Sequence, residues 1–321
     1  IVRALLIINP HATSMSGREA GLVVRALGSR LELETAQTRY RGHARELAAA
    51  SAEAGFDLVV SFGGDGTVNE VVNGLMRSQV PAADPAAAAA GEAAPGRRPA
   101  IAAVPGGGAN VFARTLGLPT DPAEAVQRIL AAVDSGTWRT IGLGLAGDRY
   151  FTFSAGLGID AEVVADVDRR RAKGRRASTM LYLRLALRRY YVTARGHPAL
   201  TLTTPGQPPV TGLFMGVVTN SSPWTYLGSH PVRPAHADFS SGLDLFALRR
   251  MRTLSTLAAL RHMMHTPSEL PSVRDVVSAA ALTELALEAD RPIAFHIDGE
   301  YQGETEGVSF RFVPEALCVV A

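Results

Sequence analysis

Asp57 to Phe62 form an apolar run that breaks into Gly63-Gly64-Asp65-Gly66-Thr67, and apolar residues then recur at helical spacing from Val68 to Leu75. A buried strand that turns through glycines straight into a helix is half of a βαβ unit, which commits this part of the chain to a parallel sheet. Glycines let backbone amides approach phosphate oxygens, and the amino end of the helix adds positive potential. An aspartate inside such a turn would repel phosphate unless it held Mg²⁺ or accepted a proton, so Asp65 is a candidate for chemistry. Thr67-Val68-Asn69-Glu70 also spells a capping box, which gives Glu70 a structural reading beside a ligand-binding one.

A second junction of this kind follows in Val104-Pro105-Gly106-Gly107-Gly108-Ala109-Asn110-Val111, where Asn110 can cap a helix or hydrogen-bond a ligand. Strand patterns at 4–8, 31–37, 57–62 and 101–104 alternate with helix patterns at 17–27, 42–54, 67–76, 110–116 and 122–134. Such alternation predicts a doubly wound α/β nucleotide-binding domain over residues 1–137. Pro81 to Pro99 is rich in Ala, Pro and Gly without periodicity and reads as a flexible insertion. From Trp138 onward the runs shorten and turn residues separate them, which predicts an antiparallel, β-rich, sandwich-like domain over 138–305. Helices at 178–191 and 253–265 interrupt it, and the segment 306–321 is expected to return to one of the two sheets. The active site is expected in the cleft between the domains.

Composition narrows the function classes. Hydrophobic residues make up 47% and charged residues 19%, the balance of a globular chain rather than a disordered one. A net charge of +2 carries no global field for a nucleic acid. Cys318 is the one cysteine, so no internal disulfide forms, and a cytoplasmic setting fits. No run of 18 apolar residues suggests a spanning helix. The start, Ile1 to Pro10, is too short for a signal h-region, reads as a buried strand and lacks an initiator methionine. Lys173 is the sole lysine and no P-loop is present, so phosphate handling must rest on backbone amides, arginine and metal. Gly142 to Gly147 matches G-x-G-x-x-G, but no helix follows and Gly147-Asp148 reads as a hairpin turn. His262 and His265 lack the glutamate of a metalloprotease helix.

Gly63-Gly64-Asp65-Gly66-Thr67 with Glu70 and Asn73-Gly74-Leu75 resembles the signature of the diacylglycerol kinase catalytic domain, a family that includes bacterial lipid kinases and is related to sphingosine kinases. Asn9-Pro10 resembles the family's opening turn at the adenine side, and Thr38 its nucleotide-binding threonine. Pro105 to Arg114, Phe153 to Val163 and Asp298-Gly299-Glu300 resemble later blocks, in family order. The resemblance implies γ-phosphoryl transfer from Mg·ATP to a lipid hydroxyl, most simply diacylglycerol to phosphatidic acid. It implies that Asn9, Thr38, Gly63, Gly64, Asp65, Gly66, Thr67, Glu70, Gly107, Gly108 and Asn110 hold ATP. By the same carry-over Asp65 meets the catalytic Mg²⁺ through water or phosphate, or acts as base. Glu300, with Asp298 beside it, accepts the hydroxyl proton. A hairpin turn is the alternative for Asp298-Gly299.

Two departures stand out. Gly108 and Val111 replace a threonine and an acidic residue of the family pattern, and Ser240-Ser241-Gly242 replaces an Asp-Asp-Gly metal loop, with Asp238 and Asp244 nearby. That puts the structural Mg²⁺ site in doubt. The basic run Arg169 to Arg176 reads either as a solvated loop or as a contact with an anionic membrane surface. Members of the family are often homodimers. Competing readings are a sphingoid-base or other lipid-alcohol kinase, a soluble-substrate enzyme of the NAD kinase type, and a non-catalytic lipid-binding relative.

Overall fold

The computed structural model describes residues 1–12, 16–77, 98–171, 179–194, 196–227, 230–233, 237–265 and 275–321. Most of the expected 81–99 insertion and residues 172–176 of the basic run lie outside the described residues. The chain forms two compact units, residues 1–142 with 314–321, and residues 143–313.

In the first unit, β1 (Arg3–Ile8), α1 (Gly17–Gly28), β2 (Glu32–Gln37), α2 (His43–Glu53), β3 (Leu58–Gly63), α3 (Asp65–Arg77) and β4 (Ala100–Pro105) follow one another in strict alternation. Two more helices, α4 (Val111–Thr115) and α5 (Pro122–Ser135), complete the series. β3 and β4 are buried along their whole length, as strands covered by helices on both faces must be. Ser16 and Glu19 form a reciprocal capping box at α1, while Asp121 caps α5 with Pro122 in its first turn. All pairings are parallel, in the order β2-β1-β3-β4. The fifth strand is the end of β16 (Glu300–Val320), where Val319 pairs with Ile101. Helices α2 and α3 approach closely enough that a Cβ on Gly74 would lie 2.3 Å from the Arg45 carbonyl oxygen. Only glycine fits there, so the Asn-Gly-Leu signature has a packing cause.

The second unit begins within β5 (Trp138–Ala146), which turns through Gly147-Asp148 into β6 (Arg149–Phe151). Next come β7 (Ser154–Gly158), α6 (Ile159–Arg171), α7 (Thr179–Thr193), β8 (Leu200–Thr203), β9 (Val210–Leu213) and β10 (Met215–Thr219). β11 (Thr225–Leu227) and β12 (His230–Val232) form a separate ribbon. β13 (Leu243–Leu248), α8 (Thr253–His265), β14 (Val276–Leu282), β15 (Glu284–Ile297) and the start of β16 follow. The antiparallel order is β14-β13-β10-β7-β15-β16, with β8 and β9 attached to the first half of β15. Alternation along β10 divides the core, because neighbouring strand residues point to opposite faces. Val218 packs with Phe151, Leu157, Leu287 and Phe310, and Val217 with Ile159, Val167, Leu185, Phe246 and Met263 beneath the helices.

The fold class is the expected one, a doubly wound α/β portion followed by a β-rich antiparallel portion. One helix was not expected: α6 carries no sequence signal at its start, which follows a left-handed Gly158. β9 and β10 are separated at Phe214, and β15 is a single strand with a bulge.

Candidate active site

In an open parallel sheet, ligands bind beyond the carboxyl ends of the strands, where the strand order reverses. With the order β2-β1-β3-β4 that point lies between β1 and β3. Asn9 follows β1 there, and its backbone N–H donates to the Phe62 carbonyl on β3 at 2.9 Å. Its side-chain Nδ2 donates to Thr67 Oγ1 at 2.9 Å, while its Oδ1 accepts from the His11 N–H at 3.0 Å. Thr38, at the end of β2, is held by its N–H to the Ile8 carbonyl at 2.9 Å. Asn9, Thr38 and Thr67 thus converge at the switch point without any local sequence proximity.

The two glycine turns pack against each other. The Gly106 N–H donates to the Gly63 carbonyl at 2.9 Å, and a Cβ on Gly107 would come within 2.6 Å of Gly64 Cα. The glycines therefore serve the contact between the turns as well as any approach to phosphate. Asp65 opens α3, and its Oδ1 accepts from the Phe112 N–H of α4 at 3.1 Å, which ties the two turns through the carboxylate. Asp65 is partly exposed, so it keeps a solvent-facing side. Gly108 is exposed, and a Cβ there would meet nothing within 4 Å, so the space of the family's threonine is present.

Two nucleotide-side residues make bonds within the protein that their local sequence does not spell. The capping box at Thr67 does not form, because α3 begins two residues earlier at Asp65. Instead the Glu70 carboxylate accepts from the N–H groups of Gly42 at 2.7 Å and Ala44 at 3.2 Å. Glu70 thereby caps α2 and pins the loop that follows Thr38, which is a structural task for a residue expected to touch ATP. Asn110 has left-handed backbone and makes no cap; its side chain donates to the Gly107 carbonyl and accepts from the Gly107 N–H, clipping the second turn shut.

In the second unit, Asp298 and Gly299 both have positive φ and form the two-residue turn that joins Ile297 to Glu300. The Asp298 carboxylate is 2% exposed and accepts four hydrogen bonds, from the Thr152 N–H and hydroxyl and the Phe153 and Ser154 N–H groups. Its oxygens are engaged in fixing the hairpin, which gives Asp298 the part of a clasp. Glu300, the first residue after the turn, is partly exposed, and its Oε2 lies 3.5 Å from Arg149 Nη2. Arg149 Nη1 also donates to Gln302 Oε1. Sequence reasoning missed Arg149, and no motif marks it: a lone arginine on a hairpin gains meaning only from Glu300, 151 positions away.

The loop at Ser240-Ser241 is closed by its own bonds. Asp238 Oδ1 accepts from the N–H and hydroxyl of Ser240 and from the Ser241 N–H, each at 2.8 Å. Burial works against ionised Asp238, but these serine bonds outweigh it and hold the carboxyl below its ordinary value. Asp244 is buried and accepts from the Ala281 N–H. Among the described residues no group of three or more His, Cys, Asp or Glu side chains is placed to hold a metal. The Ser240 hydroxyl and the two serine amides occupy one oxygen of the Asp238 carboxylate. In the basic run, Arg169 pairs with Asp166, and 172–178 lie outside the described residues.

The switch point on this doubly wound sheet thus holds a carboxylate between two glycine turns, and comparison with known proteins gives the class, a phosphotransferase. Residues 3–141 match the diacylglycerol kinase catalytic domain. A probable YegS-like lipid kinase of Chromohalobacter salexigens is 28% identical over 319 residues, covering 98% of this chain and 92% of that one. A diacylglycerol kinase of Bacillus subtilis is 34% identical over 171 residues, 51% of this chain and 48% of its own length. A crystal structure of a putative diacylglycerol kinase from Bacillus anthracis superposes with a TM-score of 0.73 at 21% identity, over 99% of this chain and 96% of that one. The last is a likeness of fold.

Proposed function

We propose that the chain transfers the γ-phosphoryl group of ATP to a lipid hydroxyl, with diacylglycerol as acceptor and phosphatidic acid as product. The observation that carries this reading is the bond network at the switch point, in which Asn9, Thr67, Asp65 and the Phe112 amide hold two glycine turns together. Phosphoryl transfer asks mainly for positioning and charge neutralisation, so amides, a few hydroxyls and one carboxylate suffice. Asn9, Thr38, Thr67 and the turns 63–67 and 106–108 would seat the nucleotide. Mg²⁺ on the phosphates would neutralise developing charge, with Asp65 as its protein partner. The acceptor oxygen forms a bond to phosphorus as the bond to the β,γ-bridging oxygen breaks, ADP leaves, and the hydroxyl proton passes to a carboxylate. Glu300 takes that proton in this proposal; its partly exposed side chain on a clasped hairpin supports the assignment. The enzyme would work from the cytoplasmic side, and no helix among the described residues is long and apolar enough to cross a membrane.

Incubation with γ-labelled ATP, Mg²⁺ and a total lipid extract, resolved by thin-layer chromatography, tests the reading. A labelled product that migrates with phosphatidic acid, lost in Asp65→Asn and Glu300→Gln, is expected; general-base and metal roles are worth about 10²–10⁴-fold. A labelled sphingoid base or another lipid would replace the acceptor, and label found only in a soluble product would sink lipid kinase activity. Label transfer undiminished in Glu300→Gln would remove Glu300 from proton transfer.

A further inference from the structure

The helices of the second unit leave an apolar surface open. Among the described residues of that unit, the large apolar side chains left exposed are confined to α7 (Met180, Leu183, Leu187, Tyr191, Val192) and α8 (Leu254, Leu257). Met180, Leu183, Leu187 and Tyr191 follow the i, i+3, i+7, i+11 spacing of one helical stripe. Their exposure is large, 64% for Met180 and 83% for Leu254, so they are not core residues seen at an edge. The opposite sides of both helices, with Leu185, Ala259 and Met263, enter one shared core cluster. A bond of 2.9 Å between the Tyr190 and Thr256 hydroxyls links the two helices directly. The two helices therefore lie over the same core and touch through this bond. Exposed apolar side chains gathered on neighbouring helices mark a docking site.

Charge identifies the occupant. Neither α7 nor α8 contains an acidic residue. Arg184 and Arg188 are exposed beside the α7 stripe and Arg261 beside the α8 stripe, while Arg249, Arg250 and Arg252 are exposed in the turn before α8. Arg189 is the exception: it turns away from that face onto Asp166 and Glu162 of α6. Arg252 also faces the buried Asp275 at 4.0 Å. An apolar stripe with tyrosine at its end, on helices that carry arginines and no acid, has the composition of helices that lie in the interface of a bilayer. We propose that α7 and α8 together form the surface by which this protein docks on a membrane containing anionic lipids, leucines in the acyl boundary and arginines at the headgroup phosphates. The proposal rests on the lipid-kinase reading for the presence of a membrane-borne substrate, and it locates the contact on these two helices rather than on the basic run before them.

Co-sedimentation of the full chain with phosphatidylglycerol/phosphatidylcholine vesicles, without nucleotide, measures docking apart from catalysis. The wild type is expected to partition onto the mixed vesicles at low salt and onto pure phosphatidylcholine at least tenfold less. Leu183→Glu with Leu187→Glu and Leu254→Glu should cut partition at least tenfold. Arg184→Gln with Arg188→Gln and Arg261→Gln should cut it by roughly a hundredfold, and lysine at these three positions should restore it. Phosphorylation of a short-chain, dispersed diacylglycerol should stay within twofold in all of them. Vesicle binding that survives both sets of substitutions overturns the proposal. So does a wild type that ignores vesicles and self-associates through these leucines in analytical ultracentrifugation. A chain that docks yet transfers no phosphate supports the surface and defeats the kinase reading, so the two failures are separable.

Discussion

Asn9 and Thr67, 58 positions apart, share a hydrogen bond of 2.9 Å that fastens the turn after β1 to the first turn of α3. A threonine hydroxyl held this way has its donor direction left for a second partner, as a hydroxyl both accepts and donates. Thr67→Val keeps the shape and removes the oxygen. It should raise KM for ATP at least fivefold while stability falls by about 1 kcal/mol, the worth of one hydrogen bond. Steady-state kinetics and urea unfolding check this. An unchanged KM would take Thr67 out of the nucleotide site.

Glu70 offers the opposite test, because its carboxylate is engaged by the Gly42 and Ala44 amides. Glu70→Ala should destabilise the protein by about 0.5–2 kcal/mol, the usual cost of a lost helix cap. KM for ATP should rise only modestly, through loosening of the Thr38 loop, and Glu70→Gln should recover part of the stability. Loss of turnover by a hundredfold with unchanged stability would return Glu70 to the ligand.

Asp298→Asn separates a clasp from a base. Removing the charge leaves one acceptor oxygen against four donors, so buried amides lose partners at about 1–3 kcal/mol. Activity measured well below the lowered melting temperature should remain within about tenfold of wild type, whereas Glu300→Gln should lose 10²-fold or more without a comparable fall in Tm. The reverse pattern would exchange the two roles.

Helices α6 and α7 are joined by Arg189, whose guanidinium beside Asp166 holds that carboxyl below its ordinary value. A depressed folded pKa stabilises the fold above the unfolded value, near 3.9, and the contribution disappears as pH falls through the lower folded value. At neutral pH, Asp166→Asn should therefore cost about 0.5–1 kcal/mol, a figure discounted for partial exposure. Wild type and variant should converge in stability as pH drops below about 4. Urea titrations at pH 7 and pH 3 measure the difference, and an equal gap at both would deny the pair its role.

The sequence showed the first unit most clearly because its elements announce themselves locally. An apolar run into Gly63-Gly64 and a helical repeat from Val68 need no distant information. Asp298-Gly299 was likewise readable as a turn, since Asp-Gly favours positive φ. What local pattern cannot show is who receives a side chain. Glu70 spells a capping box with Thr67, yet its amide partners lie 26 and 28 residues back, and they won because α3 starts early. The Asp298 carboxylate found donors about 145 residues away, and nothing near it foretold that. Helix α6 was missed because Gly158 ends one element and its left-handed backbone leads directly into the next, leaving no cap to read.

Strand β16 has a consequence for synthesis. Its first part belongs to the second unit, and residues 314–321 belong to the first, where Val319 pairs with Ile101 and the Ala316 carbonyl accepts from Arg98. A ribosome makes those eight residues only after the whole of the second unit. Until then β4, apolar along its length, stands at the edge of an unfinished sheet, a condition that invites pairing with other chains. Folding cannot be completed domain by domain as the chain emerges. An excised fragment spanning residues 3–141 would contain every glycine turn of the nucleotide site and still lack one strand of its own sheet.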